Sequence, residues 1–269
     1  MKFFSSVYQS FVSLFYYREL LWNFTKRDIT ARYSGTILGV VWSFLNPLAM
    51  FLVYLVVFGF FLHMRLPGDD SFMSFVLYFS IGFFPWAFFS SALMRSASAI
   101  LDNRNYIKKV PFPAEIFPYS VILSELVSLC IGFGILIIFT FFVKGISLVI
   151  FFLPLILIIQ IILTFSFGLV LSAVTVYFRD LYQILGSTLM VWFWLTPIAY
   201  PVEIIPQKIK FFMNFNPMFW MVNFYRDILF YKMSPDVWRM IVFFLLVSVI
   251  FMISIIIFKK AKKGFSEML

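Results

Sequence analysis

Long apolar runs separated by short polar clusters set the rhythm of this chain. The runs occupy residues 37–62, 72–93, 119–143, 146–178, 181–200 and 240–258. A helix crossing a bilayer needs about 20 mostly apolar residues, so six spans are expected. The fourth run, 33 residues long, exceeds one crossing. Pro154 near its start permits a kink, and the helix is expected to project past the bilayer near Tyr177, Phe178, Arg179 and Asp180. Between the last two runs, residues 211–231 are apolar enough to form a seventh span. Asn214, Asn216, Pro217, Asn223, Arg226 and Asp227 interrupt them. Two short helices that enter the outer leaflet and return, broken at Asn216–Pro217, are expected instead. Irregular backbone at that depth survives only where protein or water surrounds it.

Near the N-terminus, Phe4, Val7, Tyr8, Phe11, Leu14, Phe15, Leu21 and Trp22 recur at three- and four-residue steps, with Ser6, Gln9, Ser10 and Ser13 opposite. That period describes a helix with one apolar face lying along the membrane surface. It suits either a docking platform for a cytoplasmic partner or a plain anchor. No small-residue cleavage box follows, so this stretch reads as part of the mature protein. The expected organisation is an all-α membrane protein. Residues 1–33 form a cytoplasmic interface helix and linker, 34–261 a transmembrane domain, and 262–269 a cytoplasmic tail.

Composition narrows the class further. Hydrophobic residues make up 63% of the 269 positions and charged residues 12%, against about 25% charged in ordinary soluble domains. The mean hydropathy of +1.00 excludes a soluble globule or a disordered chain. A net charge of +9 would otherwise suggest nucleic acid, but the basic residues fall between apolar runs. With the N-terminus inside, fourteen Lys and Arg lie on the inner side and seven on the outer. The positive-inside rule therefore selects cytoplasmic N- and C-termini. A seventh span would place the tail lysines Lys259, Lys260, Lys262 and Lys263 outside.

Candidate chemistry is sparse. No G-x-x-x-x-G-K-[ST], H-E-x-x-H or G-x-S-x-G occurs. One cysteine, Cys130, and one histidine, His63, leave no disulfide framework and no His-pair metal site. Adjacent Asp69 and Asp70 read as a solvated loop. Only Glu125 lies well inside a span, about 9 Å below the inner boundary by helix rise. A carboxylate at such depth is costly and must face protein or water. It suits an ion pair with a nearby basic side chain or a wet inner vestibule better than a proton relay, for which no second partner is evident.

Four polar clusters punctuate the runs. They are Arg27-Asp28 with Arg32-Tyr33 and Leu38-Gly39 leading to Trp42; Lys108-Lys109-Val110-Pro111-Phe112-Pro113; Tyr177-Phe178-Arg179-Asp180; and Thr196-Pro197 with Tyr200-Pro201. Their order and spacing, from about Arg27 to the tail, resemble the permease subunit of type-2 ABC exporters, above all the branch exporting O-antigen, capsule and teichoic-acid polymers. The resemblance implies a homodimer of six-helix subunits in a bacterial inner membrane. Two ATPase subunits would lie beneath it, so that ATP and magnesium bind the partner and no cofactor binds this chain. It also implies short outer helices that gate the exit, placing Pro197, Tyr200, Asn216, Pro217 and Arg226 at an outer gate. A pump without a P-loop must receive work through an inner protrusion. The loop 98–110 suits that role, with Ile100, Leu101, Arg104, Tyr106, Lys108 and Lys109 as coupling residues and Pro111 and Pro113 ending its helix. Arg179 and Asp180 suit a helix-end ion pair.

Aromatic residues, 22% of the chain, exceed what a bilayer demands. Sugars present C–H faces that stack on rings, and such weak contacts suit a polymer that must slide. Trp42, Phe51, Tyr54, Phe58, Trp86 and Trp192, with Phe89 and Trp194, are candidates to line that path. Interface belts and helix packing use the same residues. The function expected is the membrane half of an ATP-driven exporter of a lipid-linked polysaccharide. A drug or small-lipid exporter of the same architecture, and a membrane glycosyl- or acyltransferase acting on lipid-linked sugar, are the alternatives.

Overall fold

The computed structural model describes residues 16–109 and 113–269. Most of the expected N-terminal amphipathic period, and Val110 to Phe112, lie outside those residues. Helix α1 spans Arg18–Tyr33 and so continues past Trp22, where the amphipathic period ends. A 3-10 turn at Gly39–Val41 leads into α2, Trp42–Tyr54, whose winding widens to π-type over Leu55–Phe61. Then follow α3, Phe72–Asp102; α4, Arg104–Lys109; and α5, Ile116–Val143. A 3-10 turn at Leu148–Phe152 precedes α6, Leu153–Tyr177, and α7 covers Leu181–Leu195. The outer segment forms α8, Gln207–Met213, and α9, Pro217–Leu229. Finally α10 runs Val237–Lys262 and α11 is Phe265–Met268.

Four helical stretches are long and apolar enough to cross a membrane: Phe72–Asp102, Ile116–Val143, Leu148–Tyr177 and Val237–Lys262. Leu45–Phe61 and Leu181–Leu195 are apolar but shorter. Helix α3 is the hub. In its most apolar window 78% of residues are buried, against 28–33% in the other three, so α3 is wrapped by protein while its neighbours keep one face for lipid. Phe141, Phe142 and Leu245 are among the exposed apolar side chains of those outer faces. Gly168 of α6 marks a close approach. A Cβ there would sit 2.8 Å from Ile122 and 3.0 Å from the Ser96 hydroxyl, so a larger residue would force those side chains of α5 and α3 to shift.

Boundaries depart from the hydropathy pattern in three places, each for a local reason. Helix α3 does not stop at residue 93 but continues through Asp102, because the Ser- and Ala-rich residues that follow contain no Gly or Pro. Ser98 folds its hydroxyl back onto the Arg95 carbonyl at 3.3 Å. The helix that overruns its hydropathy window is therefore α3. The 33-residue run is not one helix: Pro154 occupies the first turn of α6, where its missing N–H costs nothing, and the preceding residues wind as a 3-10 turn. Helix α7 ends at Leu195, two residues before Pro197. The break at Asn216–Pro217 falls where expected, with the Asn216 side chain accepting from the N–H groups of Met218 and Phe219 at 3.0 and 3.4 Å.

Candidate transport cavity and its charged floor

Helices α2, α3, α5 and α7, with Arg32 of α1, line a half-open cavity of about 470 Å³. Its wall is aromatic because three of the four helices turn rings toward it, while α5 contributes Glu125, Ser128 and Leu129. Trp42 and Tyr54 come from α2, Phe83, Phe84 and Trp86 from α3, and Phe193 and Trp194 from α7. Tyr54 is the hinge of this wall: its ring stacks on Phe193 at 5.2 Å and meets Trp194 edge-on at 6.2 Å. Ser90, Ser91, Ser128 and Asn46 supply hydroxyl and amide groups between the rings.

Of the six aromatic candidates, the cavity gathers Trp42, Tyr54 and Trp86. Phe58 packs beside it on Trp194 at 5.9 Å. Two others turn away. Phe51 is buried between Phe79 and Phe84, with ring centroids 5.2 and 5.7 Å away. Trp192 packs edge-on against Phe89 at 5.4 Å and donates its indole N–H to Asn216 at 2.8 Å. Residues on one helix share a face only every third or fourth position, and the neighbour each face meets decides whether it lines a space or fills a core. Phe83, Phe84 and Phe193 were absent from the expected set for the same reason.

Charge forms the floor. Glu125, with a side chain 5% exposed, accepts from Arg32 and, at 2.7 Å, from Arg95 Nη1. Ser91 donates to its other oxygen at 3.0 Å. Arg95 Nη2 forks onto both oxygens of Asp28 at 2.7 Å, and Ser124 donates to Asp28 at 2.5 Å. Two carboxylates and two guanidiniums thus alternate across α1, α3 and α5. Burial, the dominant effect, pushes the Asp28 carboxyl up, while the Ser124 hydrogen bond and the charges of Arg32 and Arg27 pull it back. Glu125 therefore sits in an ion-pair network. The i, i+4 spacing of Asp28 with Arg32 and of Ser91 with Arg95 placed each pair on one helix face, a signal in the sequence that counting basic residues by topology overlooks.

Beyond the floor, α1 is fastened to α4 and its preceding turn, the segment expected to form the inner protrusion. Arg27 donates to the Tyr106 hydroxyl at 2.8 Å and to Asn103 Oδ1 at 2.9 Å, and its guanidinium lies 4.4 Å from the Phe24 ring centroid. Among the coupling candidates, Arg104, Tyr106 and Lys108 are exposed and Leu101 is half-buried. Ile100 is buried against Phe24's cluster, so it anchors the protrusion from beneath rather than forming its outer surface. Lys109 closes α4. Among the described residues no ion pair joins Arg179 to Asp180. The helix end is clamped instead by the Tyr177 hydroxyl, which donates to the Ala261 carbonyl at 2.5 Å. Lys262 pairs with Glu115 at 3.1 Å, and Phe265 is buried on Phe258, so the tail folds back onto the bundle.

The five outer-gate candidates lie around the corner where the end of α7 meets α9. Arg226, 1% exposed, donates to the carbonyls of Pro197 and Ile198 at 2.8 and 2.9 Å and lies 3.5 Å from the Tyr78 ring centroid. The two carbonyls and the π-face replace part of the water this cation has lost, while its Nε is buried without a hydrogen-bond partner among the described residues. Asn216, beside Pro217, donates to Thr196 Oγ1 at 2.9 Å, and the Tyr200 hydroxyl reaches the Trp194 carbonyl at 2.6 Å. Gly82 makes room for the arginine: a Cβ there would stand 3.3 Å from Nη2 of Arg226.

This is a multi-pass helical membrane protein with an aromatic cavity closed by charge on one side and by a hydrogen-bonded cap on the other. The chain belongs to the ABC-2 type transporter family, whose sequence profile matches residues 19–230. It is 32% identical over 233 residues, 83% of this chain and 85% of the relative, to the O-antigen export system permease protein RfbA of Myxococcus xanthus. A Klebsiella pneumoniae protein of that name is 29% identical over 96% of this chain and 97% of its own length. The polysialic acid transport protein KpsM of Escherichia coli is 28% identical over 75% of this chain and 77% of its own.

Proposed function

We propose that this chain is the membrane-spanning half of an ATP-driven exporter of a lipid-linked, O-antigen-like polysaccharide. The observation that carries the reading is the aromatic cavity: rings from three helices, interleaved with hydroxyl and amide groups, face one space of about 470 Å³. Ring faces hold sugar C–H surfaces weakly while polar neighbours exchange hydrogen bonds with the hydroxyls. A polymer can then advance one residue at a time without a deep resting site. Relatives named for O-antigen export and polysialic acid transport support the substrate class.

In this reading Leu45–Phe61 and Leu181–Leu195 also cross the membrane, giving six spans with both termini in the cytoplasm of a bacterium. A second copy apposed to α2 and α7 completes the channel wall, which fits the exposed Met50, Val53, Met190 and Val191 on those helices. Two copies of a separate P-loop ATPase bind ATP and magnesium and push on the protrusion carrying Arg104, Tyr106 and Lys108. The ionic floor passes that push from α1 and α4 into α3 and α5. Co-purification with the ATPase of the neighbouring reading frame, followed by hydrolysis measured with and without added glycan, tests the whole reading. Glycan-stimulated hydrolysis is expected. Stimulation by small lipids or drugs alone would transfer the chain to another export class.

A further inference from the structure

A second polar pocket lies on the outer side, sharing no residue with the aromatic cavity. It measures about 380 Å³ and lies where α8, α9 and the start of α10 meet. Its base is the indole of Trp220. The ring is held in one orientation because its N–H donates to the Asn214 carbonyl at 2.8 Å and its edge packs on Phe219 and Phe224, with centroids 6.0 and 6.3 Å away. Around it stand Asn223 and Asp227, both half-buried, whose side chains have no hydrogen bond or close ion pair among the described residues.

Half-exposed and without protein partners among the described residues, both side chains are left to bond water or an occupant of the pocket. Burial pushes the Asp227 carboxyl up to about 6, only partly offset by the charge of Arg239. The pocket thus offers a fixed aromatic platform, a hydrogen-bond donor and acceptor pair, and an acceptor-only carboxylate. An anion is a poor occupant. Arg239 is engaged by Asp236 at 3.1 Å and stands 6.0 Å from the Trp220 ring centroid, at the limit of cation–π reach. The two carboxylates also match the two cations, Lys210 and Arg239, that line the pocket. A purely apolar occupant would leave Asp227 and Asn223 desolvated without partners. A neutral ring with one C–H face and several hydroxyls meets every group.

We propose that this pocket is an exit-side sugar subsite. One pyranose ring of the emerging glycan lies on Trp220 and donates hydroxyls to Asp227, with Asn223 bridging a neighbouring hydroxyl. The inference rests on the polysaccharide-export reading and gives that path a second, separate contact point beyond the cavity. By holding the polymer outside, the subsite would oppose back-sliding between strokes.

Saturation-transfer NMR on the full-length chain in nanodiscs tests it. The probe is a set of oligosaccharides released by mild acid from the producing strain's own surface polysaccharide. Transfer to ring C–H protons is expected in the wild type, falling about fivefold in Trp220→Ala and largely kept in Trp220→Phe, which preserves the platform. Asp227→Asn, an isosteric change with little effect on folding, is expected to weaken binding about threefold by exchanging an acceptor-only group for a mixed one. Undiminished transfer in both Trp220→Ala and Asp227→Asn overturns the proposal. So does transfer abolished by replacing phosphatidylcholine with phosphatidylglycerol, which would mark a lipid-headgroup site. Absence of transfer in the wild type, while surface polysaccharide in cells still depends on this chain, removes the subsite and leaves the export reading. Surface polysaccharide that persists after deletion of the chain removes both.

Discussion

The two ends of the helical core bury charge in opposite ways. At the end carrying α1, the expected inner side, Asp28, Arg32, Arg95 and Glu125 alternate in sign, and the side chains of Asp28, Arg32 and Arg95 stay 23–27% exposed. At the opposite end, the expected outer side, a single cation, Arg226, is 1% exposed and is solvated by carbonyls and a ring rather than by a carboxylate. The difference bears on motion. An alternating network next to water can exchange partners at modest cost, because each ion finds another of opposite sign nearby. A lone buried cation held by backbone has no alternative partner. Its corner must move as a unit or stay closed. The alternating network lets the helices it joins shift against one another, while the Arg226 corner holds its helices together.

Replacing Arg226 with Ala should produce the largest effect. It leaves the Pro197 and Ile198 carbonyls buried and unpaired, and a loss of about 3 kcal/mol is expected. Thermal unfolding in detergent, followed by yield of folded protein, measures it. Arg226→Lys should fall between, since one ammonium cannot fork onto two carbonyls as a guanidinium does. An unaffected Arg226→Ala protein would dissolve the contrast between the two ends.

Next comes Glu125→Ala, which strips Arg32 and Arg95 of their shared acceptor and should cost about 2 kcal/mol. The sharper measurement is functional: ATP hydrolysis by the assembled complex should persist while export of polymer falls. Exchanging the charges, Arg95→Glu with Glu125→Arg, should recover part of the stability, as a double-mutant cycle reads directly. No recovery would mean that these residues act separately rather than as a network.

Asn216→Ala should cost about 1 kcal/mol, the usual worth of an N-cap. Because Asn216 also joins Trp192 and Thr196, its loss should loosen the outer corner without touching the inner floor. Faster hydrogen exchange confined to α9 and the end of α7 is the expected pattern.

The smallest effect belongs to Asp28 and depends on pH. Its carboxyl is pushed above the ordinary 3.8 by burial, so the folded state binds the proton more tightly than the unfolded chain does. Stability from this group is therefore greatest at low pH and declines as pH rises through the raised pKa. Asp28→Asn should flatten that part of the stability–pH curve and change the neutral-pH melting temperature little. A curve with the opposite slope would show that the guanidiniums, not burial, dominate at this carboxylate.

Some of this could be read along the chain. The apolar runs announce helices, because only an intrahelical ladder satisfies backbone groups in lipid. Asn216–Pro217 announces a helix start, since both residues act within one turn. The polar clusters carry the family resemblance, and the family's profile covers most of the chain. Other features could not be read so. The end of α3 escaped because hydropathy falls at Arg95 while helix propensity does not. An ion pair for Glu125 was legible, but its partners were not, because the bonds of the floor join residues 30, 67 and 93 positions apart, and i, i+4 spacing sets a helix face without naming the helix opposite.

By itself, then, the sequence determined the membrane class, the helical runs and the position of the outer break, all consequences of forces acting within a turn or across a bilayer thickness. Tertiary structure alone decided which rings face a common space. Phe51 and Tyr54 lie on the same helix three residues apart, yet one is locked between Phe79 and Phe84 and the other borders the cavity. The reason is that a side chain's surroundings depend on the helix packed opposite it, and that choice is made by the whole bundle at once.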